Sequence, residues 1–179
     1  MGEVKLLKNF KPNKEGGKLI GLISDTHIPT RASFIPQKVF EIFSSVDLII
    51  HAGDLVELSV IDELRKNAAV IAVCGNMDLE EVVETLPKIN SIEVEGYKIG
   101  VVHDAGIMGT EKMKNIAETH EFDILVFGHT HRQFLLKEGK RLFINPGSAT
   151  NPLPPLITKP SIALLRISEK RVEPFFIQV

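Results

Sequence analysis

From Lys18 onward, short apolar runs alternate with polar stretches and helical patterns. Leu19–Ile23, Asp47–Ile50 and Ala69–Val73 read as strands. Val39, Phe40 and Phe43 share one face of a helix predicted over Pro36–Ser44, with proline at its start. A second helix is predicted over Ser59–Asn67. Such alternation is the signature of β-α units. Ser91–Glu95 and Tyr97–Val102 predict a hairpin turning at Glu95-Gly96, and a helix over Thr110–Thr119 follows. Ile124–Phe127 is a continuous apolar run stopped by Gly128, the mark of a strand buried on both faces. The texture then changes to hairpins. Gln133–Lys137 pairs with Arg141–Ile144, Asn145-Pro146-Gly147-Ser148 is a turn, and a Pro-rich loop runs from Asn151 to Pro160. Ile162–Ile167 and Arg171–Ile177 are the last strands. Late hairpins imply mixed rather than parallel pairing and supply enough strands for two packed sheets. Residues 1–17 are lysine-rich and weakly patterned, so they read as an N-terminal extension of a single domain spanning 18–179.

The strand exits carry the chemistry. The first run leads into Ser24-Asp25-Thr26-His27, the second into His51-Ala52-Gly53-Asp54, and the third into Cys74-Gly75-Asn76-Met77-Asp78. Tyr97–Val102 ends at His103-Asp104, and Ile124–Phe127 at Gly128-His129-Thr130-His131. In open α/β sheets ligands bind at the C-terminal strand edges, where loops gather sequence-distant residues onto one rigid rim. Each residue alone has an ordinary explanation. Asp25 and Asn76 could be caps, Gly53-Asp54 a turn, and His103 a satisfied core histidine. Their recurrence at successive exits, with a glycine before three of the motifs, argues against capping alone. A backbone that stayed extended past Gly128 would aim His129 and His131 the same way, and paired imidazoles at a strand mouth suit a divalent metal.

Composition narrows the class further. The 179 residues suffice for one domain with a substantial core. Hydrophobic content of 44% and charged content of 25% are ordinary for a soluble globular protein. A net charge of -2 gives no general attraction to nucleic acid or anionic membrane. No apolar stretch is long enough to span a bilayer, and the N-terminus lacks the pattern of a signal peptide. The single cysteine, Cys74, fits a reducing compartment, so a cytoplasmic location is expected.

Taken in order, Asp25-Thr26-His27, Gly53-Asp54, Gly75-Asn76, His103 and Gly128-His129-Thr130-His131 resemble the calcineurin-like metallophosphoesterases. That family's pattern is D-x-H, G-D, G-N, a lone H and G-H-x-H. The resemblance covers Leu19 to Ser148, and the small size and Asn145-Pro146-Gly147-Ser148 look most like its compact bacterial and archaeal phosphodiesterases. It implies an α/β fold, a four-layer α-β-β-α sandwich of two mixed β-sheets with two divalent metal ions on one edge. By the same resemblance Asp54 bridges the metals, Asp25, His27 and His131 complete one site, and Asn76, His103 and His129 complete the other. Asp54, Asn76 and His103 form the implied catalytic set. Carboxylate and imidazole donors suit Mn, Ni, Fe, Zn or Co better than Ca, and Mn is the expected metal. The implied reaction is hydrolysis of a small phosphodiester by a water activated between two cations. A phosphomonoesterase or pyrophosphatase with the same centre is the alternative. A third reading is a protein-binding scaffold, as in the retromer subunit that shares the fold. Lost ligands would mark a scaffold, whereas here every ligand position holds a competent residue. A homodimer fits the resemblance.

The chain departs from the family pattern at two places. Met77 stands where many members have a histidine that protonates the leaving group, although Asp78 matches the next, acidic position. Asp104 follows His103 where glycine is more usual. Arg31 and Arg132, near ligand motifs, are candidates to contact substrate phosphate, with a solvated surface arginine as the ordinary reading. His51 is expected to support Asp54, His120 to interact with a helix dipole, and Cys74 to be a buried strand residue.

Overall fold

In the computed structural model, the described residues are 17–107, 110–150 and 159–179. Nearly all of the expected N-terminal extension and most of the Pro-rich loop lie outside them. Within them the order is β1 (Lys18–Ile23), α1 (Gln37–Phe43), β2 (Leu48–His51), α2 (Ser59–Arg65), β3 (Ala69–Ala72), α3 (Glu80–Thr85) and β4 (Ile89–Val94). There follow β5 (Tyr97–Val102), α4 (Glu111–Thr119), β6 (Ile124–Val126), β7 (Gln133–Glu138), β8 (Arg141–Pro146), β9 (Ser161–Ser168) and β10 (Arg171–Gln178).

The central strands are apolar on both faces, which obliges each sheet to be covered twice. One sheet has the order β10-β9-β1-β2-β3 and the other β4-β5-β6-β8-β7. In the first, β1, β2 and β3 run parallel while β9 and β10 pair antiparallel. In the second, β5, β6 and β8 run parallel between the antiparallel edges β4 and β7. Ile20, Leu22 and Ile50 of the first sheet meet Val101, Ile124 and Ile144 of the second in an apolar seam. On the outer face of the first sheet, Val39 and Phe43 of α1 and Val60 and Leu64 of α2 pack over Leu19, Ile23 and Ile49. On the outer face of the second, Met113 and Ala117 of α4 pack over Val102, Leu125 and Phe143. The expected four-layer α-β-β-α sandwich with two mixed sheets is the observed architecture.

Two local expectations change. The sequence pattern leaves 79–88 without an element, yet α3 forms there. It has six residues and buries only Val82, too little for a period to declare itself. Leu86 is extended before Pro87, which stops the helix. The turn expected at Asn145-Pro146-Gly147-Ser148 begins later, because Asn145 and Pro146 extend β8 and pair with Phe134 and Gln133. Proline is tolerated there because β6, on the other side, has already ended opposite Ile144. The Glu95-Gly96 turn forms as expected, with φ of 50° and 80°.

Candidate metal centre

The parallel strands of both sheets end on one rim, and the motif residues follow those ends. Asp25 and His27 follow β1, Asp54 follows β2, Asn76 follows β3, His103 follows β5, and His129 and His131 follow β6. Asp25, His27, Asp54, His129 and His131 all have left-handed backbones, with φ between 46° and 70°. Such conformations cost about 1–3 kcal/mol each and persist where the surroundings over-determine them. Here the surroundings are backbone hydrogen bonds between adjacent loops. Asp25 N–H donates to Gly53 O (3.0 Å), His27 N–H to Asp54 O (3.0 Å) and Gly128 N–H to His103 O (3.0 Å).

Asp25, His27, Asp54 and His131 form the first cluster, all four buried. His27 Nε2 and His131 Nε2 lie 3.1 Å apart. Asp25 Oδ1 is 3.3 Å from His131 Nε2, and Asp54 Oδ2 is 3.6 Å from His27 Nε2. Two ring nitrogens this close, flanked by two carboxylates and closed to solvent, match the donor set of a divalent transition-metal ion. Asp54, His103 and His129 form the second cluster, in which His129 is exposed. His103 Nε2 is 3.3 Å from Asp54 Oδ2 and 3.1 Å from Asn76 Oδ1, which brings Asn76 to the same point. Asp54 Oδ2 thus faces both clusters.

The two histidines after β6 do not point the same way. The backbone coils instead of extending, with φ of 70° at His129 and 55° at His131, and Thr130 N–H turns back to Gly128 O (2.8 Å). His131 therefore meets His27, with ring centroids 5.0 Å apart, while His129 meets His103 edge to face at 5.2 Å. One tripeptide supplies an imidazole to each cluster.

Asp54 is held from several sides. Met77 N–H donates to its Oδ1 (2.8 Å), so Oδ2 alone is turned toward both clusters. Asp78 binds the two neighbouring loops together, accepting Val56 N–H at Oδ1 and Gly75 N–H at Oδ2, both at 2.6 Å. A Cβ at Gly75 would fall 2.1 Å from Asp54 Oδ1, and one at Gly53, where φ is 84°, would fall 2.7 Å from His103 Nδ1. The glycines before Asp54 and Asn76 are thus required by close approach. Asp25 is fixed likewise. Its Oδ2 accepts Ser24 O–H (2.6 Å), its Oδ1 accepts His129 N–H (3.0 Å), and its carbonyl accepts Ser148 O–H (2.8 Å).

These contacts set the charge states. Burial works against an ionised Asp54, but the hydrogen bond and charge of His103, the Met77 N–H and His27 prevail, and its pKa lies below the ordinary carboxylate value. Burial likewise opposes a charged His103, yet its contact with Asp54 and the charges of Asp25 and Asp54 carry it up to about 9. His103 Nδ1–H donates to Ala52 O (2.8 Å), which fixes the ring and leaves Nε2 for the cluster. His27 is shifted down, chiefly by burial and then by the charges of Arg31 and His131 against those of Asp54 and Asp25. The ring is therefore biased toward its neutral form near neutral pH.

A model of the calcineurin-like phosphoesterase superfamily domain matches residues 19–170, most of the chain. The chain belongs to this superfamily. It is similar to a probable metallophosphoesterase of Methanothermobacter thermautotrophicus, 40% identical over 157 residues that cover 87% of this chain and 89% of that protein. It is also similar to a phosphodiesterase of Methanocaldococcus jannaschii, 31% identical over 167 residues covering 84% of this chain and 94% of that one. In fold it is similar to Vacuolar Protein Sorting 29 of Cryptosporidium parvum, with a TM-score of 0.81 at 23% identity over 92% of this chain and 93% of that one. Superfamily membership and the buried Asp-His cluster together make this a divalent-metal phosphoesterase domain.

The structure also places the remaining residues of this calcineurin-like phosphoesterase that the sequence singled out. Arg31 is exposed beside the first cluster; its N–H donates to His27 O (2.8 Å), and its charge is felt at the His27 ring. Arg132 is exposed next to His131. His51 is fully buried and reaches Thr26 rather than Asp54, with Nε2 3.1 Å from Thr26 Oγ1. Burial above all lowers its pKa to about 4, so the ring is neutral near pH 7. His120 stands at the C-terminal end of α4, as expected, and stacks on Phe122 with centroids 5.3 Å apart. Cys74 is buried, as expected, but lies past the end of β3 rather than in a strand. Asn145 gained no role from the sequence, yet its Nδ2 donates to Gly128 O (2.7 Å) and its Oδ1 accepts Gly147 N–H (2.9 Å), bracing the turn that carries His129 and His131. Its position in the Asn-Pro-Gly-Ser segment was the available signal. No helix among the described residues is long and apolar enough to cross a membrane.

Proposed function

We propose that this chain is a phosphodiesterase acting through two divalent cations, Mn²⁺ first, with Ni, Fe, Zn or Co as chemically similar occupants. The observation that carries the reading is Asp54 Oδ2, which lies within reach of both clusters while Oδ1 is tied to Met77 N–H. Asp25, His27 and His131 would hold one cation, and Asn76, His103 and His129 the other, with Asp54 between them. Bound there, the cations would neutralise the phosphate oxygens and supply a water deprotonated near neutral pH. Ionised Asp54 reduces the repulsion between two positive charges. The neutral His27 ring carries no charge to oppose a cation, whereas His103 must give up a proton to coordinate one. Asn76, exposed beside His103, is placed to donate an amide N–H to a phosphate oxygen. The buried cluster closes one side, so substrate would approach over Asn76, His103 and His129. A cleft of about 650 Å³ opens there, room for the second ester substituent that distinguishes a diester from a monoester.

The test compares wild type and Asp54→Asn after loading with Mn²⁺. Bound metal per chain and turnover of bis(p-nitrophenyl) phosphate and p-nitrophenyl phosphate are measured. The wild type should hold two ions and prefer the diester. The variant should lose metal and at least about 10²-fold in rate, the scale of one preorganised electrostatic contact. A variant with two ions and a near-normal rate, or a wild type that prefers the monoester, would refute the reading.

A further inference from the structure

The cleft beside the second cluster has a composition unlike that of the cluster. Asn76, His103 and His129 line it, together with the apolar side chains of Val83, Ile89, Val102 and Ile116. Val83 and Ile89 are 43% and 42% exposed, with Leu79 exposed nearby in sequence, so apolar side chains lie open to water around a polar centre. An apolar surface that continues into a site of phosphate chemistry suits the organic part of a substrate.

The charges around the cleft are largely spoken for. Lys112 Nζ is paired with Asp104 Oδ2 at 2.7 Å, and both Asp78 oxygens accept backbone N–H groups. Lys88 is exposed on the lining, and no ion pair engages it among the described residues. Its place is fixed by the backbone. Cys74 N–H donates to Pro87 O (3.0 Å), tying the residue before Lys88 to the loop that carries Asn76. A cation whose backbone is so held, lining the same cleft as the apolar side chains, complements an anion borne on an apolar body.

We propose that this cleft is the substituent subsite of the phosphodiester. It takes an apolar ester group, and Lys88 pairs with a second anionic group on that substituent. The substrate class is therefore a phosphodiester whose organic arm carries its own negative charge. The inference rests on the phosphodiesterase reading.

The test uses three substrates that share a p-nitrophenolate leaving group. They are methyl p-nitrophenyl phosphate, thymidine 5′-(p-nitrophenyl phosphate), and the latter with an added 3′-phosphate. In the Mn²⁺-loaded wild type the 3′-phosphate should lower KM about tenfold, the worth of one charge-assisted contact. Lys88→Ala should close that gap and Lys88→Arg should retain it, a rescue that a merely structural lysine would not show. Val83→Asp should raise KM for both thymidine substrates relative to the methyl ester. Equal KM values for the two thymidine substrates in the wild type, or a gap that survives Lys88→Ala, would overturn the proposal. Turnover of the methyl ester separately tests the phosphodiesterase reading. Should no diester turn over, calorimetric titration with thymidine 3′,5′-bisphosphate still decides the subsite. Binding weakened by Lys88→Ala and Val83→Asp supports it, and no binding to the wild type overturns it.

Discussion

Gly75→Ala adds one methyl group at the narrowest point of the site, and its cost can be worked from distances. The new Cβ would lie 2.1 Å from Asp54 Oδ1, 2.4 Å from Asp54 N and 2.9 Å from Asp54 Cγ. Real Cβ atoms essentially never approach a neighbour within 3.0 Å, so the two segments must part by at least the difference between 3.0 and 2.1, about 0.9 Å. The obstacle includes backbone, so no rotamer change relieves it. The Asp54 carboxylate is also held by Met77 N–H, and Gly75 N–H by Asp78 Oδ2, so parting strains both bonds. Overpacking of this kind costs about 1–3 kcal/mol. The larger effect should be chemical, since a displacement near 1 Å in a preorganised site costs about 10²-fold in rate. The assay is a thermal melt of metal-free protein together with steady-state diester turnover at saturating Mn²⁺. Gly75→Ala should melt lower, bind fewer than two ions and lose about two orders of magnitude in kcat. A variant with wild-type melting and turnover would refute the claim that the glycine before Asn76 serves the approach of Asp54.

Three further outcomes follow from the same geometry. Exhaustive chelation should abolish diesterase activity and lower Tm, with Mn²⁺ restoring both; an ion at 100 times its Kd stabilises by about 2.7 kcal/mol, and full activity with no detectable metal would contradict the reading. For His51, the folded pKa of about 4 lies below its ordinary 6.5, so its contribution to stability is full above pH 6.5 and is lost as pH falls toward 4. That interval corresponds to about 3 kcal/mol, so in urea melts of metal-free protein His51→Gln should gain that much on the wild type between pH 7 and pH 4; parallel profiles would show that His51 is not the group responsible. Met77 is half exposed and its thioether carries no proton, so wild-type rates should fall steeply as leaving-group pKa rises, and Met77→His should flatten the dependence. A shallow dependence unchanged by the substitution would assign proton delivery elsewhere.

How much of this was legible in the chain depends on the length scale of each feature. The central strands announce themselves as apolar runs because both faces are covered, and α1 and α2 because Val39, Phe43, Val60 and Leu64 recur at helical spacing. The joining of residues 25, 54, 76, 103 and 129 was legible from their common position at strand exits. Their orientation was not. A period of two predicts that His129 and His131 share a direction, and only the left-handed backbones of His129 and His131 send them apart. Nor could spacing show that Asp54 offers one oxygen to both clusters, because the hydrogen bond that occupies the other comes from the backbone of Met77, whose side chain is irrelevant to it. Helix α3 and the cleft wall escaped for a related reason: Val83, Ile89 and Ile116 come from three elements and carry no common motif.

The clusters have a mechanical consequence. Asp25, His27, Asp54 and Asn76 extend from the β1-β2-β3 sheet, whereas His103, His129 and His131 extend from the β5-β6-β8 sheet. Below the rim the two sheets meet through a greasy, direction-free seam. Donors that converge on one point would be a sharper constraint, so under the proposed reading a cation held between them would work as a clasp on a hinged book. Opening the covers and releasing the ion would then be coupled. A lesion in the seam, such as Val126→Ala, alters no candidate ligand yet should weaken the grip on the ion, and a filled clasp should mask the same lesion in a melt.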